Sequence, residues 1–140
     1  MADDAPYILD AQIGFVLRQA HQRHTAIFAS RMIGDLTPRQ FSTLARLHAE
    51  GPLSQNHLGR LTAMDVATIK GVVDRLRVRG LVETSADAQD ARRRVVSLTA
   101  AGVELIAQAL PVGGAITEET LAALNPEERA TLIALLARLL

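Results

Sequence analysis

Two groups of side chains in this sequence carry enough charge and hydrogen-bonding capacity to do chemistry. The first lies between residues 60 and 94, where eight basic residues (Arg60, Lys70, Arg75, Arg77, Arg79, Arg92, Arg93 and Arg94) stand against five acidic ones. Arg92, Arg93 and Arg94 are consecutive, and Asp90 stands two residues before them, where a bidentate carboxylate–guanidinium pair would orient Arg92. Upstream, Thr68 offers a hydroxyl donor and Lys70 a cationic point charge, both suited to phosphate oxygens or base edges. The second group is Arg18, His21, Gln22, Arg23 and His24. On a helix, Arg18, His21 and His24 recur every third residue on roughly one side, a cationic surface that would receive a carboxylate or phenolate.

Neither group looks like a catalytic apparatus. The chain has no glycine-rich phosphate loop, no nucleophile elbow and no paired acids at a recognisable site, so an enzyme is not expected. It contains no cysteine, which removes disulfides, thiolate zinc sites, iron–sulfur clusters and thiol redox sensing together. The histidines leave a metal alternative open, with His21 and His24 as a zinc pair completed by Asp35, His48 or His57. They are equally readable as ordinary surface or interface histidines. No cofactor is expected.

The 140 residues carry 15 basic and 15 acidic side chains, so distribution matters more than the sum. Residues 1–59 balance, the middle is basic, and residues 95–140 hold two basic against five acidic. No run approaches 18 uninterrupted apolar residues, and the start, Met1-Ala2-Asp3-Asp4, is acidic. Neither a membrane span nor a signal peptide is therefore expected, and the expectation is a soluble cytoplasmic protein without a membrane partner.

The elements that must position these residues are mostly helices. Apolar residues from Ile8 to about Met32 recur at helical spacing and predict one long helix, closed by Gly34-Asp35. Thr37-Pro38 starts a second helix that buries Phe41, Leu44, Ala45 and Leu47 and stops at Gly51-Pro52. A short helix from Ser54 to Leu61 and a turn at Thr62-Ala63-Met64 lead to Asp65, placed to cap a helix from Val66 to Arg79. Its inward stripe is Ile69, Val72, Val73 and Leu76, with Gly80 as the C-terminal stop. The period then shortens to that of strands, over 81–84 and 95–98, around a polar tip from Ser85 to Arg94. Thr99 caps a helix to about Leu110, where Pro111 and Gly113-Gly114 should break or bend it. Asn125-Pro126-Glu127-Glu128 starts the last helix, which is apolar around most of its circumference and needs a cover. The first helix of the same chain or a second copy would supply that cover, and a twofold dimer is the commonest solution.

A short helix, a tight turn, a longer helix and a hairpin in this order make a helix-turn-helix followed by a wing. The second helix would enter the major groove with Asp65, Val66, Ala67, Thr68, Lys70 and Gly71 on its leading surface, and Arg75 behind them near the backbone. Arg92, Arg93 and Arg94 would meet the minor groove or its flanking phosphates.

With those residues in view, the sequence resembles the MarR family of bacterial winged-helix regulators over nearly its whole length. The matching stretches are Leu36-Thr37-Pro38-Arg39-Gln40-Phe41, Leu58-Gly59-Arg60-Leu61, and Val72-Val73-Asp74-Arg75-Leu76-Arg77-Val78-Arg79-Gly80-Leu81-Val82. Asp90-Ala91-Arg92-Arg93 and Val96-Ser97-Leu98-Thr99-Ala100-Ala101-Gly102 complete the set. The resemblance implies a mainly α fold with a small β-hairpin wing. It divides a single domain of residues 1–140 into a winged helix-turn-helix lobe over 37–98 and N- and C-terminal dimerisation helices over 8–34 and 99–140. It further implies a homodimer on a pseudopalindromic double-stranded operator, usually as a repressor, with Asp90 and Arg92 as the wing pair. Release by a small-molecule effector, commonly an aromatic acid or phenol, is also implied, and a hydroxynicotinate-like compound at Arg18, His21 and His24 is the specific expectation. The chain departs from the family at Val66, Ala67 and Gly71, where polar or basic residues are usual. An adaptor that uses the same fold to bind protein remains the alternative from another class.

Overall fold

In the computed structural model, which describes residues 5–140, six α-helices and the two strands of the hairpin follow the predicted order, and a third short strand joins them. The acidic start at Met1–Asp4 lies outside the described residues. The chain divides into two units, one of residues 32–114 and one of residues 1–31 with 115–140.

The larger unit begins at a turn in which Gly34 (φ 66°) and Asp35 (φ 51°) are both left-handed. α2 (Pro38–Glu50) opens on a reciprocal capping box. Thr37 Oγ1 accepts from Gln40 N at 3.1 Å, and Gln40 Oε1 accepts from Thr37 N at 3.1 Å. Its buried face is Gln40, Thr43, Leu44 and Leu47, while Phe41 and Ala45 are only half-buried. The bond from Thr43 Oγ1 to Arg39 O at 2.8 Å lets a hydroxyl go inside. β1 (Leu53–Ser54) leads into α3 (Gln55–Leu61), and α4 (Val66–Val78) follows the turn. All four residues of the predicted α4 stripe, Ile69, Val72, Val73 and Leu76, are buried. α4 ends as predicted: Gly80 N donates to Arg77 O and Leu81 N to Leu76 O, with Gly80 at φ 73°.

β2 (Val82–Ala86) and β3 (Arg94–Leu98) pair antiparallel, with Val82 opposite Leu98 and Ala86 opposite Arg94. The strands therefore run further toward the tip than their apolar residues suggested. β1, which the sequence did not announce, pairs with the other edge of β3, Ser54 opposite Val95, to give the sheet order β1-β3-β2. Leu36, Leu44, Leu47, Leu58, Ile69, Val73, Leu76, Val96 and Ile106 form the core of this unit.

α5 (Ala100–Thr120) corrects the expectation of a break, because it continues through Pro111 for 21 residues. Pro111 removes one helical donor, but the residues around it are anchored. Ile106, Ala109 and Ile116 are buried, and Gly113 lies so close to the Phe41 ring that a Cβ would come within 2.6 Å of Cζ. By length and composition α5 would also be able to cross a membrane, a test that counting uninterrupted apolar residues does not make. Here it supplies Ile106 and Ala109 to the core of the larger unit.

In the smaller unit, the long first helix begins later than expected. A 3-10 turn at Leu9–Ala11 is followed by Gln12 in extended backbone, and α1 runs over Ile13–Arg31. Gln12 Nε2 donates back to Ile8 O at 3.0 Å, closing the turn that displaces the helix start. α6 (Pro126–Ala137) opens on the predicted Asn125/Glu128 capping box. Arg23 donates to Thr120 O and Glu119 O, and Arg129 Nε to Leu121 O and Leu124 O. Two guanidinium groups, from α1 and α6, thus satisfy carbonyls at and just past the end of α5. Tyr7, Ile8, Leu9, Ile13, Val16 and Leu17 at the first turns, and Ile133, Leu135, Leu139 and Leu140 at the last, are exposed.

Candidate nucleic-acid interface

The interface is built from α3, α4 and the wing, all within the larger unit. Ser54 caps α3 by accepting from His57 N at 3.2 Å. The turn to α4 packs closely on Gly59, where a Cβ would sit 3.0 Å from Ile69 Cγ2 and 3.2 Å from Met64 O. Ala63 takes a left-handed conformation (φ 56°), and Met64 N donates to Gly59 O at 2.8 Å. These contacts fix where α4 starts.

Asp65 then caps α4 by accepting from Thr68 N at 2.7 Å. The Thr68 backbone N–H, its hydroxyl and the charge of Arg39 hold the Asp65 carboxyl below its ordinary value. Asp65, Val66, Ala67 and Lys70 are exposed and Thr68 and Gly71 half-exposed, while the next positions inward belong to the core. α4 therefore presents its first two turns outward, as expected. Lys70 is not free, however, because its Nζ donates to Asp74 Oδ2 at 2.8 Å. Arg75 is exposed. Arg79 is turned to the protein's own backbone, donating to Gly34 O, to Asp35 O at 3.4 Å and to Gln40 Oε1 at 3.4 Å.

In the wing, Asp90 Oδ1 accepts from both the backbone N (3.0 Å) and Nε (3.3 Å) of Arg92. The expected bidentate pair is thus replaced by a single side-chain contact, made to the same oxygen that holds the backbone of the turn. The Arg92 side chain remains 92% exposed. Asp87 N donates to Arg93 O and Arg93 N to Asp90 O, closing the tip. Arg94 lies on β3 and donates to Thr84 Oγ1 at 3.4 Å.

Ser54 at the cap of α3 and Gln55, Asn56, His57 and Arg60 within it join Arg92, Arg93 and Arg94 around a cleft of about 350 Å³ with no carboxylate in its lining. The sequence reading counted Arg60 in the basic stretch and His57 as a possible zinc ligand, but did not place Ser54, Gln55, Asn56, His57 and Arg60 beside the wing. They lie more than thirty positions from the wing, and only the pairing of β1 with β3 brings them beside it.

The second candidate group lies on α1. His24 Nδ1 is 2.9 Å from Thr120 Oγ1, whose own hydrogen goes to Ile116 O at 2.8 Å. Nδ1–H must therefore be the donor, which leaves Nε2 of a neutral His24 as an acceptor. Thr25 Oγ1 likewise donates to His21 O at 2.8 Å and lies 3.5 Å from His21 Nε2. The Arg18 guanidinium lies over the Phe15 ring, 5.6 Å from its centroid. Among the described residues no group of three or more His, Cys, Asp or Glu side chains is placed to hold a metal ion, so the zinc set suggested for His21 and His24 is not assembled.

Comparison with known proteins gives a consistent picture. The sequence signature of the MarR family matches residues 34–93. The chain is 42% identical over 139 residues to the HTH-type transcriptional repressor NicR of Pseudomonas putida, covering 99% of this chain and 88% of that protein. It is similar to the solved structure of a probable transcriptional regulator from Pseudomonas aeruginosa, with 53% identity, a TM-score of 0.93, and coverage of 95% of this chain and 100% of that one. It is also similar to Bordetella bronchiseptica BpsR, whose DNA binding is regulated by 6-hydroxynicotinic acid, with 38% identity, a TM-score of 0.92 and 96% coverage of each chain.

Proposed function

This chain belongs to the MarR family of ligand-responsive, DNA-binding transcriptional regulators, and on that premise we propose that it is a homodimeric repressor released from DNA by a small aromatic acid. Members of the family are bacterial transcription factors and not enzymes. The observation that carries the DNA reading is an exposed first half of α4 beside an acid-free arginine cleft in one unit. Asp65, Val66, Ala67, Thr68, Lys70 and Arg75 then face the major groove and its edges, and Asp90, Arg92, Arg93 and Arg94 serve the wing. With two methyl-bearing side chains, Val66 and Ala67, leading the helix, base readout rests on thymine methyl contacts, on Thr68 and Lys70, and on duplex shape.

The exposed apolar residues of the first turns and of α6 support a twofold assembly, which would place two α4 helices on a pseudopalindromic operator in the cytoplasm. Residues 37–98 would form the reading lobe and residues 8–34 and 99–140 the dimerisation helices. For the effector, Arg18 and His21 would meet a carboxylate, and the Nε2 acceptor of His24 would take a hydroxyl or N–H of the ring. That donor requirement favours a hydroxynicotinate-like compound over plain benzoate, in keeping with the compound that regulates BpsR.

The test is titration of the purified protein against duplex from its own upstream region, at several salt concentrations, with and without 6-hydroxynicotinate, benzoate, phenolic acids and zinc. Tight, salt-sensitive binding that is released by the hydroxylated acid and weakened in release by His24→Ala is expected. Release by zinc alone would revive the metal reading, and no duplex binding at all would favour a protein-binding adaptor.

A further inference from the structure

The one carboxylate within α4 is in an unexpected place. Asp74 lies one turn after Lys70 in a helix whose other charged residues, Lys70, Arg75 and Arg77, are basic, and its Oδ2 accepts from Nζ of Lys70 at 2.8 Å. Both side chains are open to water, 66% exposed for Lys70 and 46% for Asp74. The pair is a poor device for helix stability. A basic residue preceding an acidic one by four is the weaker orientation, and exposed pairs of this kind contribute little. Asp74 also lies in the field of Arg77 and Arg94, and the hydrogen bond from Lys70 with these three positive charges holds its carboxyl below the ordinary value. It is thus negatively charged at neutral pH.

We propose that Asp74 is a specificity-determining residue that restrains Lys70, withholding it from phosphates on unrelated DNA and yielding it where the operator offers a better acceptor. The inference deepens the reading that α4 faces the duplex. A phosphate reaching for Lys70 must compete with a carboxylate already at hydrogen-bond distance and must also approach that carboxylate's charge. Such competition penalises sequence-independent binding, which is almost wholly electrostatic. A base edge that engages Lys70 through well-directed bonds, such as the paired acceptors of guanine, carries no such charge repulsion. Asp74 therefore acts on the difference between two affinities, which is where specificity lies.

The experiment measures binding of the full chain to its upstream-region duplex and to a random duplex of equal length across a salt series. The variants are Asp74→Asn, Asp74→Glu, Lys70→Gln and the Lys70→Gln/Asp74→Asn double. Asp74→Asn should tighten random-duplex binding by about fivefold for each α4 engaged, the upper range for an exposed ion pair. Its salt slope should steepen by about 1 per engaged helix. Upstream binding should gain less, so the ratio of the two affinities falls, and Asp74→Glu should retain the parental ratio. In the Lys70→Gln background the same Asn substitution should change either affinity by less than about twofold, because the effect runs through Lys70. An equal gain with and without Lys70 would mean a plain charge effect and would overturn the proposal, as would an unchanged ratio in Asp74→Asn. Failure of the parent protein to bind any duplex would overturn the DNA reading itself, a different result from a parent that binds and a variant that does not shift.

Discussion

Substituting alanine for Gly102 tests the packing of the wing against the helix that follows it. A Cβ at this position would lie 2.0 Å from Leu81 O, 3.0 Å from Leu81 C and 3.4 Å from Leu98 Cδ2. Ordinary carbon–oxygen contacts begin near about 3.3 Å, so the first turn of α5 must move by more than about 1 Å. The obstacle is backbone, and no rotamer change relieves it. The same carbonyl accepts from Thr99 N at 3.1 Å, and Gly102 N itself donates to the capping Thr99 Oγ1 at 3.1 Å. Displacing the turn therefore adds a weakened cap and a poorly satisfied carbonyl to the overpacking. Overpacking costs about 1–3 kcal/mol and an unsatisfied buried acceptor a similar amount, so Gly102→Ala should destabilise by about 3 kcal/mol. For a chain of this size that lowers the melting midpoint by roughly 10 °C. Circular dichroism at fixed protein concentration reads it directly. Gly114, in the same helix, has nothing within 4 Å of its would-be Cβ. Gly114→Ala should therefore stabilise by about 0.5–1 kcal/mol, and it provides a background in which Gly102→Ala stays folded. A Gly102→Ala midpoint within about 2 °C of the parent, against an expected loss several times larger, would refute the steric reasoning.

Three further outcomes follow from the site. Asp65→Ala should destabilise the start of α4 at neutral pH, whereas Asp65→Asn keeps an oxygen for Thr68 N. Because the Asp65 carboxyl is held below its ordinary value when folded, its charge contributes stability above the unfolded value and loses it as pH falls through the folded one. Urea midpoints of the parent and Asp65→Asn should therefore differ near neutrality and draw together only as the pH falls below the ordinary carboxylate range and the folded carboxyl is protonated in its turn. Arg92→Ala should reduce duplex affinity and flatten the salt slope by about 1 per wing without changing the melting midpoint, since the side chain is 92% exposed and its bond to Asp90 is an open, surface one. Arg79→Ala should do the reverse: losing the bonds to Gly34, Asp35 and Gln40 costs about 1–2 kcal/mol in unfolding and leaves the salt slope alone.

Local chemistry was legible in the sequence and long-range pairing was not. The caps at Thr37, Asp65 and Asn125 stand where their side chains and following residues placed them, because each is settled within four residues. The buried stripe of α4 was equally readable, since helical period and apolar character coincide there. Pro111 misled because a helix-breaking residue was judged without the buried neighbours that hold the helix on both sides of it. No glycine or proline marks the interruption at Gln12, so the start of α1 was placed too early. β1 is two residues long and exists only through its partner, which is why the juxtaposition of Arg60 and its neighbours with the wing arginines went unseen. The charge on Lys70 was visible in the sequence, but its engagement by Asp74 lay in side-chain geometry.

The layout of α4 has a consequence for how such proteins diverge. Its core-facing residues, Ile69, Val72, Val73 and Leu76, are interspersed along the chain with outward ones, the foremost of which are exposed. Val66, at 68% exposure, and Ala67 beside it can change without altering the interior. Thirteen residues therefore hold two texts at once, one fixed by folding and one open to drift. A duplicated copy could acquire a new operator through two or three substitutions at the front of this helix while inheriting its scaffold intact.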